Sequence, residues 1–410
     1  MAIRSRTAVS VGVLVVLAAF VLLGRWYSQQ RSSPALTPSS ATVAVTSSDD
    51  RGPGTLREAI FVADTAGSAA RIVVRVNRIV LESALPPIVN PHGIAIVVPA
   101  GGLEIDAHEL TGSSPVFDID ADSAVLSGLL IHHCSGSAVL VRAARFRLSS
   151  STIQACDVGV EVASTASAVG IERNVFQGNR IGIRFTAPST DTEVVKNEFN
   201  DNSTAGVWLV ASEPVAGDAI RVHDNQFQAG PAGVVVGNVP SVLEHNEFSG
   251  QREAAVHVIG SGAVIRSNHI SSGVAAGIVV ENARGALIES NELDHLNGYA
   301  ILLRGAADTL VRANRVHSCG YGMAFVLGNE QRPNTAADNT FIDLSYNGID
   351  VVGESPILRH NQVLQARAYP LHVVDFSAQN GSVVRAQPLL ERNSFELASS
   401  AGLTRRATRR

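Results

Sequence analysis

Four of the five tyrosines in the chain fall between Asp294 and Tyr369, each with an ionisable neighbour a few residues upstream. The groups read Asp294, His295 and Tyr299; His317 and Tyr321; Asp343 and Tyr346; Arg367 and Tyr369. A tyrosine has an apolar ring with a polar tip, suited to stacking on a sugar ring, and Trp208 offers a similar surface upstream. Histidine, aspartate and arginine address hydroxyls and carboxylates, by proton transfer or by charge. Exposed turns in any β fold are also polar and often covered by tyrosine. It is the clustering that singles these residues out.

Such a recurrence needs elements that repeat. Asparagine, one residue, then an apolar residue recurs as Asn174-Val-Phe176, Asn197-Glu-Phe199, Asn225-Gln-Phe227, Asn246-Glu-Phe248, Asn268-His-Ile270, Asn291-Glu-Leu293, Asn314-Arg-Val316, Asn339-Thr-Phe341, Asn361-Gln-Val363 and Asn393-Ser-Phe395. Between these rungs runs a glycine-led segment, as in Gly159–Val162, Gly182–Phe185, Gly206–Leu209, Gly233–Val236, Gly277–Val280, Gly322–Phe325 and Gly348–Val351. Strands this short cannot bury a face alone. Stacked in register at roughly 4.8 Å they pair with their own copies and share one core. The repeat therefore predicts an all-β parallel β-helix. Asparagine, which tolerates left-handed backbone angles, is expected at one turn, its amides forming a ladder, and glycine is expected to mark the other turn. The 33- to 45-residue units of helical solenoids are absent.

The N-terminal end predicts a cap. In "VTSSDDRGPGTLREAIFVADTAG", Thr55 and Glu58 form a capping-box pair opening a short amphipathic helix that would cover the bottom of the stack. "DDRGPGTLREAI", then "ALPPI" and asparagine-marked coils, resembles the bacterial right-handed β-helix repeat proteins of the pectate-lyase-like superfamily, over residues 43 to about 397. The middle coils are similar to the periplasmic nitrous-oxide-reductase maturation and mannuronan-epimerase groups. That resemblance implies a right-handed β-helix of roughly thirteen coils. It also admits a uronate lyase or epimerase, with His295, His317, Tyr321 and Arg367 supplying acid, base and cation. Trp208, Tyr299, Tyr346, Tyr369, Asp294 and Asp343 would then bind substrate. The Asp-Pro-His-Asp run of mannuronan epimerases, the Gly-His-Gly of polygalacturonases and the calcium carboxylates of pectate lyases are missing, which puts catalysis in doubt. The alternative is a non-catalytic scaffold or maturation partner.

Composition agrees with a β-rich chain: 45% hydrophobic, 5% aromatic and 35 glycines in 410 residues, with a net charge of −5 that points away from nucleic acid. Arg4 and Arg6 precede an uncharged apolar run, residues 8–24, followed by Arg25-Trp26-Tyr27. We read residues 1–7 as a cytoplasmic tail, 8–24 as an uncleaved transmembrane signal anchor, 25–42 as a Ser/Pro-rich linker, 43–398 as the β-helix and 399–410 as a basic disordered tail. The expectation is a single-pass protein of the bacterial inner membrane with its bulk in the periplasm or outside, and with a polysaccharide or an envelope protein as its partner.

Four local features complete the reading. The outward column Glu161, Arg184, Trp208, Val235, His257, Val279, Leu302, Ala324, Asp350, His372 is apolar in its middle, to be covered by a loop such as residues 212–218 or left as a contact strip. Glu244, Arg266, Glu289 and Arg312 alternate in sign as a salt ladder. Cys134 and Cys156 fall on neighbouring coils within disulfide range, a reduced stack being the default and a bond the alternative in an oxidising compartment. "IHHC" could bind copper or zinc through His132, His133 and Cys134, but adjacent histidines on a strand face opposite ways, so no metal or other cofactor is expected.

Overall fold

The computed structural model describes residues 41–398, apart from 99–101, 215, 274, 330 and 381, and the backbone of 406–407. The chain winds as a parallel β-helix. Each regular coil gives one strand to each of three sheets, as Gly170–Glu172, Val175–Gln177 and Ile181–Phe185 do. The first and second sheets hold fifteen strands each and the third twelve. Pairing within them is parallel, except that Arg406–Ala407 runs antiparallel to Phe395 and Glu396. The first strand, Ala41–Val45, begins inside the segment read as linker. The expected anchor at 8–24 lies outside the described residues, and among those described no helix is long and apolar enough to cross a membrane.

The asparagines form the expected file, but not by bending the backbone themselves. The residue before each one is left-handed, as at Lys196 (φ 55°), His245 (φ 55°), Ser267 (φ 53°) and Ser290 (φ 56°). That turn aims the asparagine inward, where those from Asn174 to Asn361 are buried. Asn268 shows the pattern. Its backbone N–H and its Nδ2 both donate to Asn291 Oδ1 at 3.0 Å, and Nδ2 also donates to the Leu243 carbonyl at 2.9 Å. The bonds continue from Asn174 to Asn393, each amide tying together adjacent coils.

The glycines are a second correction. Gly159, Gly182, Gly206 and Gly233 lie within strands of the third sheet and do not make its turns. A Cβ on Gly182 would sit 2.9 Å from the Phe199 ring, and one on Gly233 would sit 2.6 Å from Phe248. The glycine column makes room for the aromatic column: Phe176, Phe199, Phe227 and Phe248 stack with centroids 5.1, 4.6 and 4.6 Å apart. The two sequence columns are one packing unit.

The cap forms as predicted. Helix Leu56–Asp64 buries Leu56, Ala59, Ile60 and Ala63 against the first coils. Thr55 accepts from the Glu58 N–H, while the Glu58 carboxylate accepts from the Gly54 N–H, one residue earlier than a standard capping box. Cys134 and Cys156 form a disulfide with Cα atoms 4.3 Å apart, so the reduced default gives way to the alternative.

Candidate functional site

The second and third sheets meet at the edge that carries the predicted residues. On the second sheet, Asp294 is in register with His317 one coil on. His295 follows in a left-handed conformation (φ 52°) that keeps its side chain outside. His295 Nδ1 lies 2.7 Å from Asp294 Oδ1, and His269 Nε2 lies 2.7 Å from Oδ2. His317 Nε2 is further off, 3.8 Å from Asp294 and 3.5 Å from Glu292. Burial pushes the Asp294 carboxyl up, but the bonds from His295 and His269 outweigh it and hold the group below the usual range. Three imidazoles thus surround one ionised carboxylate. Behind them Cys319 is buried, and burial pushes its thiol up to about 11, so it stays protonated and inert.

Beyond the turn at residues 295–298 the third sheet begins with the tyrosines. Tyr299, Tyr321 and Tyr346 stack with centroids 4.5 and 4.7 Å apart. Tyr369 stacks on His372 instead, at 5.2 Å. Tyr321, with a ring on either side, presents its edge. Open area lies at Tyr346 and Tyr369, 51% and 57% exposed. Beside them Asp350 is 3% exposed and fully engaged. It accepts from Tyr299 Oη at 2.9 Å, Asn347 Nδ2 at 2.8 Å and His372 Nδ1 at 2.9 Å. Burial, with the Asp350 charge, pushes the Tyr299 phenol far up. A His372 that donates through Nδ1 turns Nε2 outward, an arrangement able to carry a proton.

The predicted residues therefore divide into groups. His295, His317 and Asp294 come together on the second sheet, joined by His269. Tyr299, Tyr321, Tyr346 and Tyr369 come together on the third, joined by Asp350, Asn347 and His372. Arg367 lies 3.8 Å from Asp343. Among the described residues no hydrogen bond links Tyr321 or Arg367 to the histidines. Trp208 stands four rungs from Leu302, hence roughly 19 Å from the tyrosine coils. Of the residues that sequence reasoning left out, Asp350 and His372 stood on adjacent rungs of the outward column. His269 was readable only as a diagonal neighbour of Asp294.

The remaining columns settle as follows. The strip is closed at Val235 (5% exposed) and Ala324 (1%) and half-buried between. Residues 212–214 and 216–218 are exposed, with Gly217 beside Pro188. The salt ladder holds as pairs, Arg266 to Glu244 at 2.6 Å and Arg312 to Glu289 at 2.7 Å.

A family model described as a right-handed β-helix region matches residues 87–217 and 214–365. Comparison with curated protein sequences finds no match. Among the solved structures that share the fold are three of different kinds. The catalytic unit of a GH87 α-1,3-glucanase from Streptomyces thermodiastaticus is 13% identical, with a TM-score of 0.52 over 91% of this chain and 72% of that one. PfbA, a surface adhesin of Streptococcus pneumoniae, is 10% identical, with 0.53 over 90% and 99%. A double mutant of the tailspike of E. coli bacteriophage HK620, in complex with a pentasaccharide, is 11% identical, with 0.53 over 87% and 81%. At these identities the likeness is one of fold.

Proposed function

Because the chain belongs to the right-handed β-helix family, we propose that it binds an extended polysaccharide along the edge where the second and third sheets meet. One observation carries the reading: four consecutive coils present tyrosines, with Asp350 and His372 between the two exposed rings. The open rings of Tyr346 and Tyr369 take sugar faces, and the phenol edges and His372 take hydroxyls. The same fold serves a glucanase catalytic unit and a tailspike holding a pentasaccharide, and the proposal extends that use to this chain.

Processing of the polymer, as a uronate lyase or epimerase, is the finer form of the proposal. His295 and His317 beside Asp294 would be its acid and base, with Tyr321 and Arg367 at the substrate. Binding is the better-supported part, since the four do not converge on one point. The scaffold alternative relied on an open apolar strip and loses support from its closure at Val235 and Ala324. We further propose that residues 8–24 tether the chain to the inner membrane with the β-helix outside the cytoplasm. The Cys134–Cys156 bond supports an oxidising compartment.

The test is an array of neutral and uronate-containing polysaccharides probed with the full chain and with Tyr346→Ala/Tyr369→Ala. Binding to one class, abolished in the double variant, is expected. Binding that survives the double variant removes the tyrosine edge from the function. For processing, His317→Ala combined with Tyr321→Phe should stop turnover of the bound polymer, and unchanged turnover excludes both.

A further inference from the structure

We infer that Asp106, His132 and His133 form a binding site for a zinc-class divalent metal ion on the second sheet near the N-terminal end. Consecutive histidines on a strand should face opposite ways, but His133 is left-handed (φ 61°), which returns its ring to the face occupied by His132. The two Nδ1 atoms are 2.8 Å apart. Asp106, in register with His132 one coil below, brings Oδ1 to 3.3 Å from His133 Nδ1 and 3.6 Å from His132 Nδ1. The edges of this triangle are 2.8, 3.3 and 3.6 Å. Ligand distances of about 2.0–2.1 Å put tetrahedral donors about 3.3–3.4 Å apart, so one ion fits the triangle with small side-chain adjustments.

The surroundings suit such an ion. Glu104 Oε1 lies 3.1 Å from His132 Nε2. A proton held there leaves the Nδ1 lone pair facing the site, the carboxylate–histidine–metal relation that fixes a ligand's tautomer. His132 and Asp106 are buried and His133 is exposed, so the site is anchored on one side and reachable from the other. His108 Nδ1 also lies 3.0 Å from the same Asp106 oxygen, with Glu109 3.6 Å from its Nε2. Arg78 opposes a cation, but it binds the other oxygen, Asp106 Oδ2, at 3.0 Å and Glu104 at 3.3 Å, while Oδ1 accepts from the His108 backbone N–H at 3.3 Å and faces the imidazoles. Two imidazoles and one carboxylate favour zinc, copper or nickel over calcium or magnesium, which prefer all-oxygen shells.

The test titrates the untagged full chain with ZnCl2, following heat and stoichiometry. His133→Ala should fold, since Ala155 and Ala229 hold the same left-handed position on other coils (φ 52° and 54°). The expected result is one Zn2+ per chain, weakened about tenfold or more by His133→Ala, by Asp106→Asn and by Glu104→Gln, and unchanged by His295→Ala. A chain that takes up no Zn2+ overturns the assignment, because the 2.8 Å contact is then only a proton shared between two rings. Uptake that survives His133→Ala, or that falls with His295→Ala instead, overturns it as well.

Discussion

Asp106 and Asp294 stand in one column of the second sheet, joined rung by rung through His132, Gln154, Gln177, Asn200, Gln228, Ser249 and Ser271. Each has a histidine in register on the next rung, His132 and His317, and each has a left-handed histidine nearby, His133 and His295. Their geometry differs through an offset of one rung. His133 follows the in-register histidine directly, so the two Nδ1 atoms meet at 2.8 Å. His295 follows the aspartate instead, and its ring lies edge-on to His317 with centroids 6.0 Å apart. Around Asp106 the imidazoles gather on one oxygen; around Asp294 the two close ones take one oxygen each. The solenoid supplies identical stations, and the phase of the side chains decides whether a station gathers donors or spreads them.

The supports beneath the two stations also differ, and this gives ways to separate them. The asparagine ladder runs under Asp294. Asn291→Leu would strip the acceptor from two Asn268 donors and leave the Ile265 carbonyl without its amide. Unfolding in urea should show a loss of about 3–5 kcal/mol. The Asp106 station lies before the ladder and close to the Cys134–Cys156 bond, whose removal by Cys156→Ser should cost about 3 kcal/mol for a loop of this length. If both changes weaken Zn2+ uptake equally, the two supports are not separate. Between the stations, Gly182→Ala drives a Cβ against the Phe199 ring and should cost about 1–3 kcal/mol, read as a lower denaturation midpoint.

The smallest effect is the most diagnostic. Asp294 has a folded pKa below its unfolded value near 3.9, so its contribution is fully present above that pH and disappears as pH falls through the lower folded value. The stability difference between the native chain and Asp294→Asn should be about 1–2 kcal/mol near neutrality and close to zero in strong acid. A difference that is constant with pH would mean that the histidine bonds do not hold this carboxylate ionised.

Much of this was legible in the sequence, for a physical reason. Asn174 to Asn393 answer the same demand on every coil, so repetition exposes them, and the strands, the register and the cap at Thr55 follow. The role of the glycines is hidden in the sequence because Gly182 and Phe199 are constrained jointly, and the constraint shows only when both columns are packed. Strand alternation alone turns His132 and His133 apart, but it presumes an unbroken strand, and one left-handed residue cancels it. Asp350 was visible as a member of a column, but its burial depends on Tyr299, two rungs away, and on His372 on the next. Side chains on neighbouring rungs create chemistry that no single repeat contains.

The central claim, that polymer lies along the tyrosine edge, is tested most directly by calorimetry of the full chain with an oligosaccharide series of increasing length from the class it recognises. Affinity should rise until the ligand covers the roughly 15 Å from the Tyr299 coil to the Tyr369 coil, then level off, and Tyr346→Ala/Tyr369→Ala should flatten the rise. An affinity already complete with a monosaccharide, or a length dependence unchanged in that double variant, would contradict the account.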